Sequence, residues 1–172
     1  MKKTFILLVS AFILVLTACE KQENELAIQV AGTDNLSTKV GPNLNFAAHL
    51  SGSQEVPAND SQAAGQVIFH LSQDGLELHY KLIVANIENV TASHIHVAQA
   101  GVNGPVTVFL FAGPLSGQFN GILAEGVITS ANLIGPLSGQ PLEALIDLME
   151  QGSTYVNVHT SQFPGGEIRG QI

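Results

Sequence analysis

From Asn43 to the C-terminus, short runs of alternating apolar and polar residues are broken every few positions by glycine, a pattern that predicts strands joined by tight turns. The clearest pair is a hairpin. Val67, Phe69 and Leu71 alternate with Ile68 and His70, and Leu76, Leu78, Tyr80, Leu82 and Val84 alternate with Glu77, His79 and Lys81. Between them Asp74-Gly75 predicts a two-residue type I′ turn, because both residues tolerate positive φ. That turn sets Phe69 opposite Tyr80, Leu71 opposite Leu78 and His70 opposite His79, so both apolar sets fall on one face. Further strands are predicted at 44–50, 91–97, 105–111, 121–128, 154–160 and 166–172. Eight strands at this spacing suggest a sandwich or a barrel.

One segment changes period. Leu142, Leu145, Ile146 and Met149 recur at helical spacing, with Glu143, Asp147 and Glu150 opposite, and predict one short amphipathic helix near 141–151. Pro141 suits its first position, and Gly152 a left-handed cap at its end. Gly-Pro-Leu-Ser-Gly-Gln occurs at 113–118 and again at 135–140, which reads as two turn-rich loops of similar shape.

The N-terminus follows a different logic. Lys2 and Lys3 precede an apolar run from Phe5 to Leu16, too short for a helix across about 30 Å of hydrocarbon, so residues 1–18 read as a secretory signal. Leu16-Thr17-Ala18-Cys19 resembles the lipobox of bacterial lipoproteins, which implies cleavage before Cys19 and lipid on its thiol. The plainer alternative is a cleaved signal with an incidental cysteine. Several acyl chains suffice for stable anchoring. Cys19 is the only cysteine, so an exported domain has no disulfide and rests on its core.

Residues 19–42 are polar, without a sustained apolar period, and read as the lipidated cysteine and a flexible tether ahead of one domain at 43–172. Loss of Lys2 and Lys3 takes the formal charge from −8 to −10 and leaves Lys21, Lys39, Lys81 and Arg169 as the strong cations. That balance excludes nucleic acid as a partner. The expected location is the bacterial cell envelope, extracytoplasmic, at the outer membrane or cell surface ahead of the inner membrane. The partners are then the membrane, through Cys19, and an unidentified envelope or extracellular molecule.

Two stretches carry candidate chemistry. His94 and His96 stand two apart on one predicted strand and share a face, as do Tyr155, Asn157 and His159 on another. Three imidazoles on one cation suit copper or zinc. The plainer use of His94 and His96 is to hydrogen-bond the loop backbone before Gly101. His70 and His79 form a rival pair on the solvated face of the hairpin, and His49 has no evident partner.

Glu167 and Arg169 share a strand face and predict a charge pair stapling the last strand; Arg169, the sole arginine, can instead serve an anion or Glu55. No Gly-x-Ser-x-Gly elbow, phosphate-cradling loop or paired carboxylate points to an enzyme.

Leu50-Ser51-Gly52-Ser53-Gln54-Glu55-Val56-Pro57, the block from His94-Ile95-His96 to Gly104-Pro105-Val106, and Tyr155 to Thr160 with Pro164 to Gln171 together resemble the CHRD domain, named after the animal protein chordin. The resemblance runs from about Phe46 to Ile172 and implies an extracellular, non-enzymatic β domain; the leading reading of the chain is a lipid-anchored binding or structural module with loops 98–104 and 161–166 as its interaction surface. The order of hairpin, His-x-His, late histidine and final glycine-rich strand is also similar to copper-zinc superoxide dismutase. That likeness implies an immunoglobulin-like Greek-key β-sandwich, with His94, His96 and His159 at the places of copper ligands. Counterparts of that enzyme's bridging histidine, zinc ligands and disulfide are lacking, so its redox chemistry is not implied with them.

Overall fold

The computed structural model describes residues 45–172; the expectations for the signal, Cys19 and the tether fall outside the described residues. Six strands and one α-helix make up the described part: β1 (Asn45–Ser51), β2 (Ala64–Leu71), β3 (Leu78–Val97), β4 (Val106–Ile128), α1 (Leu142–Glu150), β5 (Thr154–Thr160) and β6 (Ile168–Gln171), with three short 3₁₀ turns. An all-β class with one short helix is therefore what the alternation predicts. No described helix is long and apolar enough to cross a membrane.

The strands form one antiparallel sheet in the order β2-β1-β6-β5-β3-β4, and an added β2–β3 pairing closes it on itself. Closure removes most free edges, so this is a barrel-like solution rather than two separate sheets. Strand β3 makes it work. Its first half pairs with β2 and its second half with β5, while β4 runs along the other edge of both halves.

The eight expected strands are six because two pairs of segments fuse into β3 and β4. Continuity through 85–90 depends on Asn86 and Asn89, both at positive φ (54° and 52°), and on bulges in the β3–β4 ladder, which bend the strand without ending it. Asn side chains brace the bend: Asn120 Oδ1 accepts from the Asn86 N–H and Asn89 Oδ1 from the Gly117 N–H, each at 2.8 Å.

The hairpin register matches the expected pairs, Phe69 with Tyr80, His70 with His79 and Leu71 with Leu78. Its turn differs. Gly75 alone of the two central residues has positive φ (73°), and the Ser72 N–H bonds to the Glu77 carbonyl around a longer loop. The Asp74 carboxylate accepts from Ser72 Oγ and the Leu76 N–H, which replaces the type I′ geometry and leaves Leu76 in the turn, 66% exposed. The two Gly-Pro-Leu-Ser-Gly-Gln copies also diverge. Residues 113–118 lie inside β4, whereas Gly135–Leu137 is a 3₁₀ turn, because only the first copy has a strand beside it to pair with.

The core gathers Val67, Phe69, Leu78, Leu82, Ile95, Val156, Val158 and Ile168 from the inner sheet face. Helix α1 adds Leu142, Leu145, Ile146 and Met149, the four residues its period singles out. Pro141 is its N-cap rather than its first residue, and Gly152 follows it at φ 67°.

Candidate metal centre

The outer face of β3 and β5 carries the chemistry. In this register His94 lies opposite Asn157, His96 opposite Tyr155 and Ala92 opposite His159. Alternation sends Ile95, Val156 and Val158 into the core and turns these polar residues the other way. The two histidines of β3 and the late histidine of β5 therefore meet. His94 Nδ1 is 3.2 Å from His159 Nε2, and one ring nitrogen from each of His94, His96 and His159 lies within 4.8 Å of the others.

Two of the rings are oriented by backbone. The Pro164 carbonyl is 2.9 Å from His159 Nδ1, and the Gly104 carbonyl 2.9 Å from His96 Nδ1. Carbonyls only accept, so both Nδ1 atoms carry hydrogen, and in the neutral rings both Nε2 atoms keep a lone pair, that of His159 accepting from His94 Nδ1–H. Backbone-tied Nδ1–H groups of this kind fix the tautomer of metal-ligating histidines. Backbone hydrogen bonding, the plainer role for this pair, is thus real for His96 and compatible with ligation.

Burial holds all three imidazoles below the usual histidine range. His94 is pushed down to about 4, by desolvation first and then by its two histidine neighbours. His96 and His159 are lowered mainly by burial, against the opposing effect of their backbone bonds. Near neutral pH the cluster is uncharged, with nitrogen lone pairs available to a cation.

Stacked and hydrogen-bonded groups cover the His96 end of this face. His96 stacks on Tyr155 at 4.6 Å and 5°, and the Arg169 guanidinium lies over the far side of the same ring, 3.4 Å from its centre. Arg169, 1% exposed, donates to the Gln99 and Val102 carbonyls, Asn103 Oδ1 and Gln171 Oε1. Gln171 in turn donates to the Ala98 carbonyl, and the Gly104 N–H to Tyr155 Oη. Gly104 itself passes so close to the Val97 carbonyl that a Cβ there would collide with it. Loop 98–104 thus turns much of its backbone inward.

The expected Glu167–Arg169 charge pair is absent: among the described residues no ion pair joins Arg169 to Glu167 or to Glu55. Glu167 precedes β6 and accepts from Ser61 Oγ at 2.7 Å, so the two side chains have separate partners. Glu55, 6% exposed, packs against Gly166, whose φ of 129° and lack of a side chain leave room for the carboxylate. Burial pushes its pKa up to about 7, against the pull of the Arg169 charge and the Val56 N–H, and its Oε1 has no hydrogen-bond partner.

His70 and His79 pair across the hairpin in the open. His70 Nδ1 meets Asn45 Oδ1 at 2.8 Å, and His79 lies 3.4 Å from Glu77. Phe109 is a site residue the alternation does not reveal. It is 58% exposed and packs edge-on against His94 at 4.8 Å, through a bulged β3–β4 register that spacing alone does not fix.

The model of the CHRD domain family matches residues 46–172. No curated protein matches, and no solved structure does.

Proposed function

Because the chain belongs to the CHRD domain family, an extracellular-type module, we propose that it is a lipid-anchored extracytoplasmic binding protein whose ligand is a transition-metal ion, copper or zinc, held by His94, His96 and His159. One observation carries the reading: three uncharged imidazoles from two strands converge within 4.8 Å, with two tautomers set by backbone carbonyls. An all-nitrogen donor set suits copper(II) or zinc and disfavours calcium or magnesium, which seek oxygen. The anchor follows from Lys2-Lys3, the short apolar run and Leu-Thr-Ala-Cys.

The histidine set, not an enzyme constellation, defines the role. It holds the ion. The leading alternative is a CHRD binding module that recognises a macromolecule through loops 98–104 and 161–166 without metal.

The test is elemental analysis of the full chain in detergent after exposure to copper(II) or zinc and dialysis, repeated with His94→Ala, His96→Ala and His159→Ala. One ion per chain, lost in all three variants, is expected. A wild-type chain that keeps no ion while remaining folded ends the proposal.

A further inference from the structure

The three histidines are not equally ready for an ion. Two ligands on one tetrahedral zinc or copper ion, with bonds of about 2.0–2.1 Å, stand roughly 3.4 Å apart. His94 Nδ1 and His159 Nε2, at 3.2 Å and joined by a hydrogen bond that an ion would replace, already have that spacing. Ring centres agree: 5.0 Å for His94–His159, against 5.5 Å and 6.4 Å from His96 to each.

Something holds His96 back. Its Nε2 lies 3.0 Å from Oδ1 of the Asn157 side chain, which is itself buried. Since His96 Nδ1 gives its hydrogen to the Gly104 carbonyl, a neutral His96 offers Asn157 a lone pair. Two acceptors, the Gly104 carbonyl and Asn157 Oδ1, would then face a ring with one hydrogen; turning the Asn157 amide over, which keeps its shape, brings its NH₂ to the lone pair and satisfies both contacts. The same lone pair that an ion would take is then engaged by Asn157.

Resting on the metal-binding reading, we propose that Asn157 is a latch: its side-chain amide occupies His96 Nε2, and ion binding at the His94–His159 pair recruits His96 only by breaking that hydrogen bond. The stack on Tyr155 and the bond to Gly104 stay in place while the Nε2 partner changes. Asn157 is thus a positioning residue that lowers affinity. A conventional supporting residue around a metal does the opposite, since its loss weakens binding by about 10–100-fold.

The sign of one substitution separates these roles. In competition titrations of the full chain with zinc, Asn157→Ala is expected to bind about 3- to 10-fold tighter than wild type, the equivalent of one net hydrogen bond. Unchanged or weaker binding by a folded Asn157→Ala overturns the latch and leaves the metal reading standing. A wild-type chain that binds no zinc removes both. A second readout needs no variant: in nuclear magnetic resonance of the wild-type chain, zinc saturation should shift the Asn157 side-chain NH₂ signals and the His96 Nε2 signal. If zinc binds and the Asn157 signals stay where they were, the latch is wrong.

Discussion

Strand β3 carries histidines on both of its halves, and the halves treat them differently. In the first half His79 faces His70 across β2, with solvent, Glu77 and Asn45 around the pair. In the second half His94 and His96 meet His159 across β5, with His96 stacked on Tyr155, which carries Arg169, and bonded to Gly104 of loop 98–104. Backbone and alternation are alike in the two places. What differs is the surroundings: partial burial desolvates one set of imidazoles and backbone carbonyls fix two of its tautomers, while the other set is left to water. A histidine pair becomes a candidate ligand set through what surrounds it, more than through its spacing.

The strongest way to break this contrast is to take away the cover. Arg169 is buried, stacks on Tyr155 and joins four acceptors, so Arg169→Leu should destabilise the domain by about 3–5 kcal/mol, in the range for losing one member of a buried polar network. Lys81 on the open half, 3.3 Å from Glu125 and half exposed, should cost under about 1 kcal/mol when changed to Ala. Urea unfolding of both variants decides it. Equal losses would mean that the cover adds no stability of its own.

Next in size is the response to metal. An ion bound by the folded state alone stabilises it by about 2.7 kcal/mol at one hundred times its dissociation constant. That gain should appear with zinc in wild type and in His70→Ala, and vanish in His94→Ala. A gain that survives in His94→Ala would move the site away from the covered half.

The sequence made the open half legible almost to the residue. Asp74-Gly75 and strict alternation fixed the register of Phe69, His70 and Leu71 against β3, although the turn itself uses the Asp74 carboxylate rather than two positive φ angles. The histidine triad was also visible, because residues two apart on a strand must share a face. Much less could be seen of its cover. Alternation states which way Arg169 points but not which loop comes to meet it, so a Glu167 pair looked natural where Gln99, Val102 and Asn103 in fact take the guanidinium. Strand ends were lost at Asn86 and Asn89 for a similar reason, since a bend held by side-chain hydrogen bonds resembles a loop in sequence.

Acid should separate two groups of the covered half by the sign of their effect. His94 titrates near 4 when folded and near the usual histidine value when unfolded, so the unfolded chain holds more protons between those values and stability falls as pH drops through that window. Glu55 is the reverse. Its folded pKa of about 7 lies above its ordinary value of 4.5, so the folded chain holds the extra proton in between, and this contribution is lost as pH rises toward and through 7. Glu55→Gln should therefore make stability climb more steeply with pH between 5 and 7, by no more than about 1.4 kcal/mol per pH unit for one proton. Urea midpoints at pH 5, 6 and 7 that run parallel in the two proteins would mean that Glu55 titrates normally.

The smallest effect is the sharpest control. His79→Ala removes a side chain that is half exposed, its one ionic neighbour being Glu77 at 3.4 Å, itself half exposed. Nothing buried loses a partner, and Leu78 and Tyr80 on either side keep their places facing the core. The expected change is within about 0.5 kcal/mol, with metal content unchanged. Set beside His94→Ala, fifteen positions along the same strand, it asks whether a histidine matters here for being on β3 or for being in the partly buried cluster. A large loss of stability or of bound ion in His79→Ala would mean that the two halves of the strand act as one site.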